Sequence, residues 1–215
     1  MQLFPAKADA LVRLALAGVV GVLVGVPVVL IAWVRTPYVT GQFVPLTQPV
    51  AFDHRHHVAD DGIDCMYCHV DAERSRHAGV PPTELCLNCH GQIWNTSPAL
   101  EPVWRSWSTG QPLNWKRVTD LPDFVYFDHA IHTRKGVGCE SCHGRVDRMA
   151  RVYQVAPLTM GWCLGCHRDP EPHLRPLDAV ALMGYQPPER QEILGPRLAA
   201  TYRVRRVTAC TGCHR

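Results

Sequence analysis

The sequence predicts one N-terminal transmembrane helix followed by a domain of loops and short helices with little β structure. Three observations predict this fold class. An uncharged segment covers residues 14–34, all ten cysteines fall into five copies of one short motif, and the remaining segments are rich in proline and aromatic residues without a sustained period. Together these features indicate a multihaem c-type cytochrome whose haem groups supply the core.

The uncharged segment is long enough to cross a hydrocarbon core of about 30 Å as a helix. Lys7 and Arg13 precede it, and after Arg35 the next seventeen residues carry no charge. Because positive flanks stay on the cytoplasmic side, we expect residues 1–13 in the cytoplasm, residues 14–35 in the cytoplasmic membrane and the rest in the periplasm. A cleaved secretory signal would have a shorter apolar run and a small-x-small cleavage site, so we expect a retained single-pass anchor.

Each cysteine motif has two cysteines three positions apart, followed directly by histidine. The copies, numbered here as the first to fifth sites in chain order, are Cys65/Cys68/His69, Cys86/Cys89/His90, Cys139/Cys142/His143, Cys163/Cys166/His167 and Cys210/Cys213/His214. Two thiols at this spacing can form thioethers with the two vinyl groups of a porphyrin, and the adjacent histidine then reaches the iron as its proximal ligand. Zinc knuckles and disulfides are the alternatives, but neither requires histidine after every cysteine pair. The sequence therefore predicts five covalent haem c groups, whose attachment outside the cytoplasm agrees with the predicted topology.

A second phrase occurs twice, as Phe52-Asp-His-Arg-His-His57 and Phe127-Asp-His-Ala-Ile-His132, each shortly before a cysteine motif. This internal repeat divides the extracytoplasmic part into residues 36–126, a two-haem module ending in a tryptophan-rich connector, and residues 127–215, a module with three haems. Histidines three apart share one face of a helical turn, and two haems packed against that turn can each take one imidazole. The predicted distal ligands are His54, His57, His129 and His132. The other spare histidines, His56, His77 and His173, are expected to be solvated or bonded to a haem propionate.

The formal charge of the chain, +3, does not indicate a nucleic-acid partner, and five oxidised haems would move it to about −2. Three function classes fit the motifs: an electron-transfer protein with every iron six-coordinate, a haem enzyme with an open iron, and a stand-alone anchored quinol dehydrogenase. Seven spare histidines and five methionines can supply five distal ligands, and no motif has lysine in place of histidine. This supply favours electron transfer, with no catalytic residue of the chain's own.

Longer phrases carry a resemblance to known families. The repeated histidine phrase resembles class III multihaem cytochromes of the c3/c7 type. The phrases that resemble the membrane-anchored pentahaem subunit, ActA, of alternative complex III are Pro37-Tyr-Val-Thr-Gly41, Gly62-Ile-Asp-Cys-Met-Tyr-Cys-His69, Asp120-Leu-Pro-Asp-Phe-Val-Tyr-Phe127, Lys135-Gly-Val-Gly-Cys139 and Leu158-Thr-Met-Gly-Trp-Cys163. The resemblance extends from the anchor to about Pro176 and weakens over residues 177–209.

This resemblance implies a subunit of a quinol:electron-acceptor oxidoreductase. It implies an iron–sulfur protein and multispanning membrane subunits as partners, and delivery of electrons to another cytochrome c subunit, a soluble carrier or a terminal oxidase. The alternative of a stand-alone quinol dehydrogenase stays open.

The resemblance to c7 modules also implies how distal ligands are assigned. The first histidine of each pair would serve the next site and the second histidine the site after it. That gives His54 to the first site, His57 to the second, His129 to the third and His132 to the fourth. In such modules a residue just before the middle motif ligates the last haem, which implies Met160 for the fifth site, with His173 as the alternative and His77 or another methionine as lesser ones.

Overall fold

The computed structural model describes Pro5 and residues 7–214. Residues 1–4 and 6 of the predicted cytoplasmic N-terminus lie outside the described residues, as does Arg215 at the end of the predicted second module. The chain forms two compact units, one ending at Gln42 and one beginning at Phe43. Each unit is described by itself.

The N-terminal unit consists mainly of helix α1 (Lys7–Trp33), with a mean hydropathy of 2.8 over its most apolar window. The helix begins before the predicted anchor because its polar first turns are also helical, and Arg13 pairs with Asp9 at 2.9 Å one turn away. By length and composition α1 can cross a membrane. A short helix α2 (Pro37–Thr40) follows and ends at Gly41, whose φ of 69° is readily adopted only by glycine.

The C-terminal unit is built of short helices joined by loops. Its α-helices are α3 (Cys65–Cys68), α4 (Thr83–His90), α5 (Glu101–Thr109), α6 (His129–Arg134), α7 (Glu140–His143), α8 (Met160–Arg168) and α9 (Gln191–Thr201). A turn of π-helix covers Arg55–Asp60, and 3-10 turns cover Pro98–Leu100, Val146–Arg148, Glu171–His173, Leu177–Ala179 and Cys210–Gly212. Residues 7–214 contain no β-strand, although an isolated antiparallel bridge joins Val137 and Leu174. The predicted fold class, short helices and loops with little β structure, is confirmed.

The tryptophan-rich connector folds onto the start of the C-terminal unit. Val50, Leu100 and Val103 form a buried cluster against which Trp104 and Trp115 pack. These two tryptophans therefore bury a seam of the protein itself.

Helix α9 covers the turn Glu171–His173. Leu194 and Leu198 pack with Leu174 in a second buried cluster. Gly195 allows this close approach, because a Cβ atom there would lie 2.4 Å from the Glu171 carbonyl oxygen. The segment in which the sequence showed no resemblance thus contributes part of the core.

The polypeptide alone buries little apolar surface. In the part of the chain that the structure describes, twelve hydrophobic side chains are buried, and four of them are alanines. Large apolar residues close to the cysteine motifs, including Ile93, Phe124, Ile131 and Met160, are each more than half exposed. Such surfaces fit a fold whose interior is completed by haem.

Candidate haem sites

Each cysteine motif folds as a helical turn. Helices α3, α4, α7 and α8 carry the first four motifs, and the turn Cys210–Gly212 begins the fifth. In the first, third and fifth sites the histidine amide donates to the carbonyl of the first cysteine, at 2.9, 3.0 and 2.9 Å. Turn geometry brings the two thiols and the imidazole of each site together, as thioether attachment requires.

The ten thiols are available for attachment, since none forms a disulfide. Burial raises the pKa of the Cys142 thiol to about 11, and burial also raises the pKa of Cys68, Cys86, Cys163 and Cys166. Within residues 7–214 no group of three or more His, Cys, Asp or Glu side chains converges as a metal site.

Three of the four predicted distal histidines face the proximal histidine assigned to them. The ring centroids are 6.1 Å apart for His57 and His90, 6.3 Å for His129 and His143, and 6.0 Å for His132 and His167. A bis-histidine iron needs about 6 Å between ring centres, from two iron–nitrogen bonds of about 2 Å and about 1 Å from each nitrogen to its ring centre. The three pairs therefore have the spacing of axial ligands to one haem iron.

Backbone carbonyls fix which nitrogen of each ring faces the partner. An Nδ1 atom that contacts a carbonyl oxygen must carry the proton, which leaves Nε2 with a free lone pair for a metal. Six predicted ligands have this contact: His57 to Asp53 (2.9 Å), His69 to Gly79 (3.0 Å), His90 to Ile93 (3.3 Å), His129 to Ala72 (3.0 Å), His132 to Asp128 (2.6 Å) and His214 to Phe124 (3.0 Å).

The repeated phrase has the same local geometry in both copies. Phe52 stacks on His57 with centroids 4.3 Å apart and a 25° interplanar angle, and Phe127 stacks on His132 at 4.5 Å and 25°. The aspartate of each phrase supplies the carbonyl that orients the second histidine, and the Asp128 side chain also caps helix α6 by accepting from the Ile131 amide at 3.1 Å. Phenylalanine and aspartate thus hold the imidazole from its face and from its edge.

His54, the predicted distal ligand of the first site, is mostly buried. Its Nδ1 atom has no hydrogen-bond partner within the protein. Burial lowers the pKa of His54 to about 4, and the nearby His69 imidazole lowers it further. A buried ring with an unmet polar atom beside a cysteine motif fits a site that is completed by another group.

Burial also lowers the pKa of His143 to about 4 and lowers the pKa of His132. These rings are therefore neutral at physiological pH. The neutral imidazole is the form that binds iron.

His56 and His77 behave as predicted for solvated residues. His56 is half-exposed, lies 3.4 Å from Asp60 and 3.6 Å from Asp61, and stacks on Trp94. His77 is exposed.

For the fifth site, His214 is oriented by Phe124, and the Tyr126 amide donates to the Cys213 carbonyl at 2.8 Å. Met160 is the first residue of α8, is 67% exposed, and lies one turn before Cys163, whose thiol interacts electrostatically with Cys213. His173 ends the turn Glu171–His173, and its carbonyl accepts from the Gly138 amide. The distal ligand of this site stays a prediction.

The carbonyls of Ala72, Gly79, Ile93 and Phe124 are the functional groups that sequence reasoning missed. They lie in loops, and a backbone carbonyl has no sequence signature that could have revealed its role.

Comparison with known proteins places part of the chain in a family. Residues 125–215 match the family described as cytochrome c7 and related cytochrome c. The chain is also similar to the multiheme cytochrome c subunit of menaquinone reductase from Nitratidesulfovibrio vulgaris, with 34% identity over 97 residues. That similarity covers 45% of this chain and 45% of the relative, so the chain spans less than half of the relative's length in the match.

The family match contains the second copy of the repeated histidine phrase and the third to fifth cysteine motifs, in the same residues whose imidazoles pair at the spacing of axial ligands. Residues 125–215 form a haem-binding multihaem cytochrome c domain, an electron-transport domain similar to cytochrome c7.

Proposed function

We propose that the chain is the electron-transfer subunit of a membrane-bound, quinone-linked oxidoreductase, and that it carries five covalent haem c groups. The observation that supports this most strongly is the spacing of the His57/His90, His129/His143 and His132/His167 pairs. Each pair leaves space for one iron and occupies both of its axial positions.

The proposed ligands follow the motifs. The ten cysteines hold the porphyrins, the motif histidines are proximal ligands, and His54, His57, His129 and His132 are distal ligands of the first four sites. Met160, with His173 as the alternative, is the proposed distal ligand of the fifth. Haem supplies one-electron chemistry, and six-coordinate iron leaves no position for a substrate, which favours electron transfer over catalysis. The proposed organisation is a two-haem module at residues 36–126 and a three-haem module at 127–215.

The surroundings of the protein are also a proposal. Helix α1 would anchor the chain by a single pass, with the N-terminus in the cytoplasm and the haem domain in the periplasm. The relative is named as a subunit of a menaquinone reductase, which supports a complex with further membrane subunits. The finer proposal is a complex of the alternative complex III type, with an iron–sulfur protein and multispanning subunits as partners.

A second candidate differs in the direction of electron flow. The name of the relative favours a complex that reduces menaquinone, whereas the resemblance to alternative complex III favours one that oxidises quinol. In both cases the chain would connect a quinone site on other subunits to a periplasmic donor or acceptor.

The test is to purify the native complex through a tag on this chain and identify the subunits that co-purify. We expect an iron–sulfur protein and at least one multispanning subunit. Menaquinol should reduce the haems of the complex but not those of the separated subunit, whereas dithionite should reduce both. Rapid haem reduction by menaquinol in the separated subunit would instead support the stand-alone quinol dehydrogenase. Haem oxidation by menaquinone in the complex, without reduction by menaquinol, would support the menaquinone reductase.

A further inference from the structure

We infer that the five haem attachment sites are ordered in space as second, first, third, fourth, fifth, so that the first site, not the second, joins the two halves of the chain. This inference rests on the proposed function, because it concerns the sites proposed to hold haem. It adds which sites form the ends of the series.

The first and third sites meet at their cysteines. The Cys65 thiol forms a hydrogen bond with the Cys139 thiol. One short segment contacts both: the Val180 carbonyl accepts from the Cys139 amide at 3.0 Å, and the Ala181 carbonyl lies 3.6 Å from the Cys65 sulfur. Thiols that are joined in space although 74 positions apart in the chain require the two porphyrins they carry to be neighbours.

The axial ligands of the same two sites are also interlocked. The loop that follows His69 supplies the Ala72 carbonyl, which accepts from His129 Nδ1 at 3.0 Å and from the Thr133 hydroxyl at 2.9 Å. The His129 amide donates to Arg76 in that loop at 3.1 Å. The first site's own loop therefore orients the distal ligand of the third site.

Within each half, the repeated histidine turn joins two sites. His54 and His57 lie on one turn and are proposed for the first and second sites, and the Cys68 thiol interacts electrostatically with Cys86 and Cys89 of the second.

Helix α6 does the same in the second half. It carries His129 for the third site and His132 for the fourth, and the Cys142 thiol interacts electrostatically with Cys163 and Cys166.

The fifth site extends the series from the fourth. The Cys163 thiol interacts electrostatically with Cys213, and the chain around His214 is held by residues 124–126, directly before the second histidine phrase. The second and fifth sites therefore lie at opposite ends. Because the rate of electron tunnelling falls steeply with distance, these two sites are the ones that exchange electrons with partners.

The iron positions in the five-haem protein test the order directly. They can be located by anomalous scattering in crystals or by cryo-electron microscopy of the full chain. We expect the iron bound by His69 to have two close neighbours, the irons of His90 and His143. An iron of His90 closer to that of His143 than the iron of His69 is would overturn the inference. The same maps give the number of irons, so a shortfall in haem would be recognised separately as a failure of the proposed haem content.

A second test breaks the series at one site. A ruthenium bipyridyl complex attached through Arg205→Cys, on the exposed chain shortly before the fifth motif, injects electrons by flash photolysis, and absorbance gives the number of haems reduced. In Cys65→Ala/Cys68→Ala we expect three haems to be reduced rapidly, because the second haem is separated from the rest. In the matched variant Cys86→Ala/Cys89→Ala we expect four. The opposite result, four and then three, would establish a series in sequence order. Intact mass must show four haems in each variant before the comparison is made.

Discussion

Phe127 lies face to face on His132, with ring centroids 4.5 Å apart, while the opposite requirement on the same imidazole, its Nδ1 proton, is met by the Asp128 carbonyl at 2.6 Å. These two contacts leave the ring little freedom to rotate about its bond to a metal. The plane of an axial imidazole affects the electronic structure of a ferric haem, so this pair controls a measurable property of the fourth site.

Replacing Phe127 by Leu should loosen His132 without removing it. We expect the haem to stay low-spin, its electron paramagnetic resonance signal to broaden or shift, and the free energy of unfolding to fall by about 0.5–1.5 kcal/mol through loss of the ring pair. Phe43→Leu is the matched control, since Phe43 pairs with Tyr153 at 6.0 Å and contacts no proposed ligand. Unchanged resonance in Phe127→Leu would show that the stack does not orient the ligand.

The haem content can be measured without any partner. Intact mass of the denatured protein should exceed that of the bare chain by five haem groups, because thioethers survive denaturation. The variant Cys210→Ala/Cys213→Ala should retain four. Fewer than five groups on fully matured protein would contradict the pentahaem proposal.

Removal of a distal ligand should expose one iron. In His132→Ala we expect one haem to become high-spin, seen in its absorption and resonance spectra, while all five remain attached. His56→Ala is the control, because His56 is half-exposed and contacts Asp60 and Asp61. A fully low-spin His132→Ala spectrum would count against the assignment.

The distal ligand of the fifth site has a spectroscopic signature. If Met160 binds this iron, the oxidised protein should show a near-infrared methionine-to-iron charge-transfer band that Met160→Leu removes and His173→Ala does not. A thioether favours ferrous iron, so this haem should also have the highest potential of the five. A protein with bis-histidine signatures alone would transfer the assignment to His173.

The packing of α9 gives a prediction about stability. Gly195→Ala places a Cβ atom 2.4 Å from the Glu171 carbonyl oxygen, and the helix and turn must separate to admit it. We expect a loss of about 1–3 kcal/mol in the free energy of unfolding, measured by denaturant titration. Ala200→Ser, at an exposed position of the same helix, should change it little. Equal midpoints for the two variants would show that the contact is not tight in solution.

The sequence predicted the fold class and the pairing of histidines because both depend on local spacing. Two cysteines and a histidine on one turn define a site wherever the turn lies, and the phrase ending at His57 or His132 places its phenylalanine and carbonyl within a few residues of the ring. The three-residue spacing of His129 and His132 likewise puts two ligands on one short helix.

Contacts between distant segments could not be predicted in this way. Nothing in Cys65 or Cys139 indicates that their thiols meet, and the carbonyl of Ala72 contacts His129 only because two loops far apart in the chain fold together. The packing of Leu194 on Leu174 was equally hidden, since α9 has apolar residues on more than one face and no motif. These features arise from tertiary packing, for which a single sequence without a strong period gives little information.

The small buried core of the polypeptide has a consequence for biogenesis. With twelve buried hydrophobic side chains in the described residues, four of them alanines, the chain gains little free energy from collapsing by itself. The bare chain is therefore expected to remain open until porphyrins are ligated, with its cysteines accessible to the machinery that attaches them. Maturation and folding become one process, and a cell short of haem would accumulate protease-sensitive chain instead of a folded apoprotein.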